Sequence, residues 1–269
     1  MAFQAFFDSP TLLSTHHIYE GREASCCLNI VIVGCGLGGI AAAHSLSQAG
    51  HNVVILEAAR EIREVGVGVI LPPSITRLLE YWGAGDALRK IGIPTSGIAH
   101  LRSTDGEMMT YTPFGEQAEK AYGSPNMFVH RADFHNILSD LALASPRVRL
   151  QLGARASFID PVPDSYGKVS VTLATGEIVS GELVIGADGI KSLTRQAVVG
   201  HSHPPEQSGD AAYRATVPAE KLLSDPDLRN LVEDCNLTSW VGKGTRLVGY
   251  PIVSALRIIF VPFADVYCR

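Results

Sequence analysis

The chain has 269 residues, 46% hydrophobic and 18% charged, enough apolar content to bury a sizeable core in one large or two modest domains. A net charge of −5 with no long basic run leaves no electrostatic footprint for a nucleic-acid partner. The five cysteines (Cys26, Cys27, Cys35, Cys235, Cys268) form no C-x-x-C pair and are odd in number, which argues against a zinc site or disulfide framework and for a reducing, cytoplasmic setting.

Residues 1–27 carry Phe3, Phe6 and Phe7 and then a polar mix, with Asp8 as the first charge. A secretory leader would show basic residues before an unbroken apolar core, so a loose extension is expected here. From Leu28 to Glu57 the text reads LNIVIVGCGLGGIAAAHSLSQAGHNVVILE. A short β-branched run, as in a buried parallel strand, breaks at Gly34-Cys35-Gly36-Leu37-Gly38-Gly39. In such a G-x-G-x-x-G turn Gly34 permits the tight bend, Gly36 lets backbone approach a pyrophosphate, and Gly39 lets the next helix pack closely. The helix that follows presents free N–H groups and the positive end of its dipole to a diphosphate. A second strand then ends on Glu57, whose carboxylate can accept both hydroxyls of an adenosine ribose. Strand, glycines, helix, strand and acid in this order make one βαβ unit that binds a dinucleotide, which the glycines alone would not establish.

Next come Val65-Gly66-Val67-Gly68, extended backbone passing close to something flat, and a helix from Pro72 with Ile75, Leu78, Leu79 and Trp82 on one face. Asp105-Gly106 between 98–102 and 107–113 is a hairpin signal that opens a second sheet. The segment 128–134 enters a helix with Arg131 at its start, either a partner for a phosphate or carboxylate or a solvated arginine. Residues 148–158, 168–173 and 177–180 read as three antiparallel strands. Leu183 to Gly189 is a buried strand running into an acidic turn, where Asp188 is either a ligand contact at the carboxyl edge of the sheet or a turn residue before Gly189. Residues 211–218, 238–242 and 247–251 return to the second sheet. The apolar run 247–268 is broken by Pro251, Arg257, Pro262 and Asp265 and makes a poor membrane span.

The glycine loop with Glu57, the segment Glu64 to Gly68, His130-Arg131-Ala132-Asp133, and Gly186-Ala187-Asp188-Gly189 with Ser192 and Arg195 together resemble the FAD-dependent aromatic hydroxylases. The likeness is to the salicylate-hydroxylase-like branch, including fungal monooxygenases of secondary metabolism, and covers roughly residues 28–252. The resemblance implies a p-hydroxybenzoate-hydroxylase-like α/β fold: a doubly wound FAD-binding domain (28–95 and 126–203) and a mostly antiparallel substrate-sheet domain (96–125 and 204–252). Residues 253–269 would form an atypical tail. It implies FAD as cofactor, NAD(P)H as co-substrate, oxygen transfer to a small aromatic or phenolic compound, and no metal. Gly34, Gly36, Gly39, Glu57, Gly68, Arg131 and Asp188 would contact the cofactor. Arg214 and Tyr250 match an arginine and a tyrosine that hold a substrate phenolate, with a buried ion-paired arginine and a core tyrosine as the plain alternative. The family's second Gly-Asp motif beside the flavin has no counterpart here, so a shortened form with weak flavin binding is expected. A nicotinamide-dependent reductase ranks lower, because no Tyr-x-x-x-Lys stands out.

Overall fold

The computed structural model describes residues 24–62, 68–252 and 257–265. They pack as two units, one holding residues 24–62 and 135–206, the other 68–134 and 207–265.

In the first unit four parallel strands lie in the order Leu183–Gly186, Asn29–Val33, Asn52–Leu56, Val148–Gln151. Alternate residues of the first strand bury on opposite faces, Ile30 and Ile32 on one and Val31 and Val33 on the other, all at most 5% exposed. The register sets Val33 level with both Leu56 and Gly186. Three strand ends therefore meet at one edge, bringing the glycine turn, Glu57 and Ala187-Asp188 together. The helix Leu37–Gln48 packs on these strands through Ile40 and Ala43. A separate antiparallel sheet, Ile178–Gly181, Val169–Leu173, Ala156–Asp160, buries Val171, Leu173 and Ile159 against Val31, Val33 and Leu56.

The expected strand 148–158 is in fact two strands in different sheets. Val148–Gln151 pairs in parallel with Asn52–Leu56, whereas Ala156–Asp160 pairs antiparallel with Val169–Leu173. Gly153, at φ +68°, turns the chain between them, and the N–H groups of Gly153 and Ala154 are taken by the carbonyls of Ala59 and Glu57, each at 2.8 Å.

The second unit is built on a seven-stranded sheet. Its main path runs Asp210–Ala212, Arg257–Asp265, Thr245–Ile252, Asn236–Gly242, Gly97–Arg102, Met108–Pro113, and Ala215–Pro218 also pairs with Arg257–Asp265. The Asp105-Gly106 hairpin forms as expected. The stretch set apart as an atypical tail contributes an interior strand: Arg257–Asp265 runs beside Thr245–Ile252 and buries Ile258, Ile259 and Val261. Residues 211–218 are two short strands, interrupted at Tyr213 and Arg214. Pro262 stands opposite the interruption and has no N–H to donate to the ladder. A three-stranded antiparallel sheet, Gly68–Leu71, Met127–His130, Ile93–Pro94, completes this unit and shares its core of Phe128, Tyr250, Ile252 and Ile259. The segments 68–95 and 126–134, grouped with the nucleotide strands from sequence, pack here with the second sheet. Residues 64–67 of the Val-Gly segment lie outside the described residues.

Candidate cofactor site

Between the three strand ends of the first unit lies a cleft of about 350 Å3. Gly34, Gly36, Glu57, Ala58, Asp188 and Gly189 line it, with Arg155 and Lys191 as its cations.

The glycines of the turn do different work. Gly34 sits at φ +102°, and a Cβ there would collide with the Ala187 carbonyl. A Cβ on Gly39 would collide with the Gly34 carbonyl, so this glycine sets how closely helix and strand approach. Gly36 has ordinary dihedrals (φ −70°, ψ −179°), and a Cβ there would meet nothing within 4 Å among the described residues. Neither conformation nor crowding among the described residues explains a glycine at 36. Gly36 also lines the cleft, as the backbone of a cradle for a bound group would. No side chain among the described residues caps the helix Leu37–Gln48, so its first-turn N–H groups are available to an anion.

Glu57 binds the loop as well as facing the cleft. One carboxylate oxygen accepts the Cys35 N–H at 2.9 Å, and the other accepts the Ala59 N–H at 2.8 Å. Each oxygen has a second lone pair, which leaves room for ribose hydroxyls.

Asp188 is held by its own turn. Its Oδ1 accepts the Ser192 hydroxyl at 2.6 Å, and its Oδ2 accepts the N–H groups of Leu193 (2.7 Å) and Thr194 (2.9 Å) and the Thr194 hydroxyl (3.2 Å). Burial alone would raise its pKa, but the Ser192 hydroxyl and the N–H groups of Thr194 and Leu193 outweigh burial and hold it below the usual carboxylate range. The carboxylate thus caps the helix Leu193–Val199 while standing on the cleft wall. Arg195 braces the same turn, donating to the carbonyls of Ile190 (3.0 Å) and His203 (2.9 Å).

The remaining sequence candidates, Arg131, Gly68, Arg214 and Tyr250, belong to the second unit. Arg131 opens the helix Arg131–Leu143 and is half-buried. Gly68 is a glycine for a packing reason: a Cβ would lie 2.5 Å from the Tyr250 ring and 2.8 Å from Ile252. Tyr250 is 7% exposed, stacks on Phe128 at 5.1 Å, and donates its hydroxyl to the Gly68 carbonyl at 2.8 Å. Burial raises its pKa against a smaller opposing pull from Arg214. Arg214 was expected as a buried cation; it is exposed, at the break between the two short strands. Sequence reasoning missed Arg155 and Lys191. Lys191 could have been found from its place just after the Asp188-Gly189 turn, whereas Arg155 comes to the cleft only through the bend at Gly153.

A family model described as an FAD binding domain matches residues 28–243. The chain belongs to this FAD-binding family. The 3-hydroxybenzoate 6-hydroxylase 1 of Aquipseudomonas alcaligenes is 31% identical to this FAD-binding chain over 224 residues, covering 83% of this chain and 54% of the relative. An FAD-dependent monooxygenase of an Arthrinium species, atnJ, is 36% identical over 233 residues, 84% of this chain and 51% of the relative. Among solved structures, Klebsiella pneumoniae HpxO complexed with FAD and uric acid superposes with a TM-score of 0.74 at 25% identity, covering 90% of this chain and 57% of that one. The FAD-binding chain thus spans about half the length of the curated relatives it matches. The fold is the p-hydroxybenzoate-hydroxylase-like one expected from the motifs. No helix among the described residues is long and apolar enough to cross a membrane.

Proposed function

We propose that this chain acts as the cofactor-binding portion of an FAD-dependent monooxygenase that hydroxylates a small aromatic or phenolic compound, with NAD(P)H and O2 as co-substrates. The observation that carries the reading is the cleft itself: open space over Gly36 and an uncapped helix N-terminus, flanked by Glu57 and Asp188. These groups fit a dinucleotide. The Gly36 N–H and the first-turn N–H groups would hold its diphosphate, and Glu57 its adenosine ribose. Arg155 and Lys191 would offset the phosphate charge, and Asp188, already ionised by its turn, would keep that turn in place beside the ligand. When bound, FAD supplies the electron transfer from nicotinamide to oxygen on which hydroxylation depends. In the second unit, Arg214 is an exposed cation suited to an acidic ring substituent, while the Tyr250 hydroxyl is committed to Gly68. The names of the relatives, a 3-hydroxybenzoate 6-hydroxylase among them, support hydroxybenzoates as the first substrates to try.

The test is an absorbance spectrum of the purified protein after incubation with FAD and gel filtration. NADH and NADPH oxidation is then followed with a panel of hydroxybenzoates and larger phenols. Flavin bands in the filtered protein, with aromatic-stimulated NAD(P)H oxidation and a hydroxylated product, are expected. A protein that retains flavin but shows no aromatic-dependent turnover would overturn the activity, and one that retains no flavin would overturn the cofactor role of the cleft.

A further inference from the structure

We propose that His135 is a positioning residue for the cofactor loop, fixing the Cys35–Gly36 peptide so that the Gly36 N–H is turned into the cleft. The proposal rests on the reading of that cleft as the dinucleotide site.

His135 is 1% exposed, and its Nε2 lies 2.7 Å from the Cys35 carbonyl oxygen. A carbonyl only accepts, so Nε2 carries the proton. The other ring nitrogen, Nδ1, lies 3.2 Å from the hydroxyl of Ser139, one helical turn further on. Both ring nitrogens thus have a hydrogen-bond partner, which fixes the orientation of the ring. On the other side of Cys35, the N–H is held by Glu57 at 2.9 Å. The residue between the two glycines is thus gripped at both its backbone polar groups.

Peptide planarity makes this grip directional. No peptide bond among the described residues is cis, and in a trans peptide the C=O and N–H point in opposite directions. With the Cys35 carbonyl drawn toward the buried imidazole, the Gly36 N–H of the same peptide must point away from it. Gly36 lines the cleft, and its N–H has no acceptor among the described residues. The imidazole therefore aims a donor at the space the diphosphate would fill. If the donor is lost, the carbonyl loses the 2.7 Å bond that sets the direction of this peptide.

The experiment measures FAD, ADP and adenosine affinity by calorimetric titration for the parent, His135→Leu, His135→Gln and Ser139→Ala, with thermal melting of each free protein. The Leu variant should lose about 10- to 100-fold for FAD and ADP, as when one buried partner is removed, and less than about 3-fold for adenosine, which lacks the diphosphate. The Gln variant, whose amide N–H can reach the same carbonyl, should recover most of the loss. ADP binding equal to the parent's in His135→Leu, an equal loss for adenosine, or a Gln variant as weak as Leu would each overturn the proposal. Should the Leu variant show no cooperative melt, Ser139→Ala decides: a selective fall in ADP affinity supports the role, and unchanged ADP affinity refutes it. A parent that binds neither FAD nor ADP instead refutes the cofactor reading, and the proposal with it.

Discussion

The Glu57 carboxylate accepts the backbone N–H of Cys35 at 2.9 Å, so the end of the second strand holds the turn that ends the first. Glu57→Ala removes this grip together with the acceptor offered to the ribose. FAD binding should weaken by about 1–3 kcal/mol, the cost of an unpaired buried group, or roughly 5- to 150-fold. Glu57→Gln keeps one accepting oxygen but cannot serve both Cys35 and Ala59, so an intermediate loss is expected. Titration of the free protein with FAD reads both, and an Ala variant that binds like the parent would remove Glu57 from the site.

The two leading glycines of the turn should fail in different ways. Gly36→Val places its side chain in the open cradle at dihedrals any residue adopts, so the protein should melt near the parent temperature and copurify without flavin. Gly34→Ala forces a Cβ into the Ala187 carbonyl at φ +102° and should lower the melting temperature whether or not flavin is present. Equal flavin content in Gly36→Val and the parent would reduce position 36 to an ordinary turn.

Asp188 predicts an acid-sensitive contribution. Its folded-state pKa is lowered, so the ionised form is favoured by folding; that stability is present above the ordinary carboxylate pKa and is lost as pH falls through the folded value. Asp188→Ala should cost about 1–2 kcal/mol at neutral pH, as removal of a helix cap does, a drop of a few degrees in melting temperature. The gap between parent and variant should close in acid. A gap that stays constant from neutral pH to below the ordinary carboxylate range would show that the ionised carboxylate is not what holds the turn.

Tyr250 predicts the opposite slope. Its pKa is raised by burial, so the stability of the neutral phenol is complete below the ordinary tyrosine value and is lost as pH rises through the folded one. Tyr250→Phe keeps the stack on Phe128 and loses only the bond to the Gly68 carbonyl. It should destabilise by about 1 kcal/mol near neutrality and remove part of the alkaline fall in stability. A phenylalanine variant with the parent's alkaline profile would assign that fall to other groups. Gly68→Ala, by crowding the ring, should cost about 1–3 kcal/mol with no change in alkaline slope.

The βαβ unit was legible because its determinants are local. The β-branched strands, the glycine spacing and the terminal acid follow from backbone sterics and side-chain chemistry over thirty consecutive residues. The Asp105-Gly106 hairpin was legible for the same reason. The boundary near residue 152 was not: the run 148–158 suits either sheet, and only the partner strands decide that Val148–Gln151 joins Asn52–Leu56 while Ala156–Asp160 turns away. The strand Arg257–Asp265 looked foreign because its sequence matches no motif. Its place between Thr245–Ile252 and the short strands comes from nonlocal pairing and burial of Ile258 and Ile259. Residue types named Glu57, Asp188, Arg214 and Tyr250 as chemically able. Tertiary packing then set what each can do: it brought Glu57 and Asp188 into the lining of one cleft, committed the Tyr250 hydroxyl to Gly68, and left Arg214 exposed. The clamp of His135 on Cys35 spans one hundred residues. A hydrogen bond between residues so far apart in the chain has no periodicity or spacing to announce it, and exists only once the helix has packed beside the glycine turn.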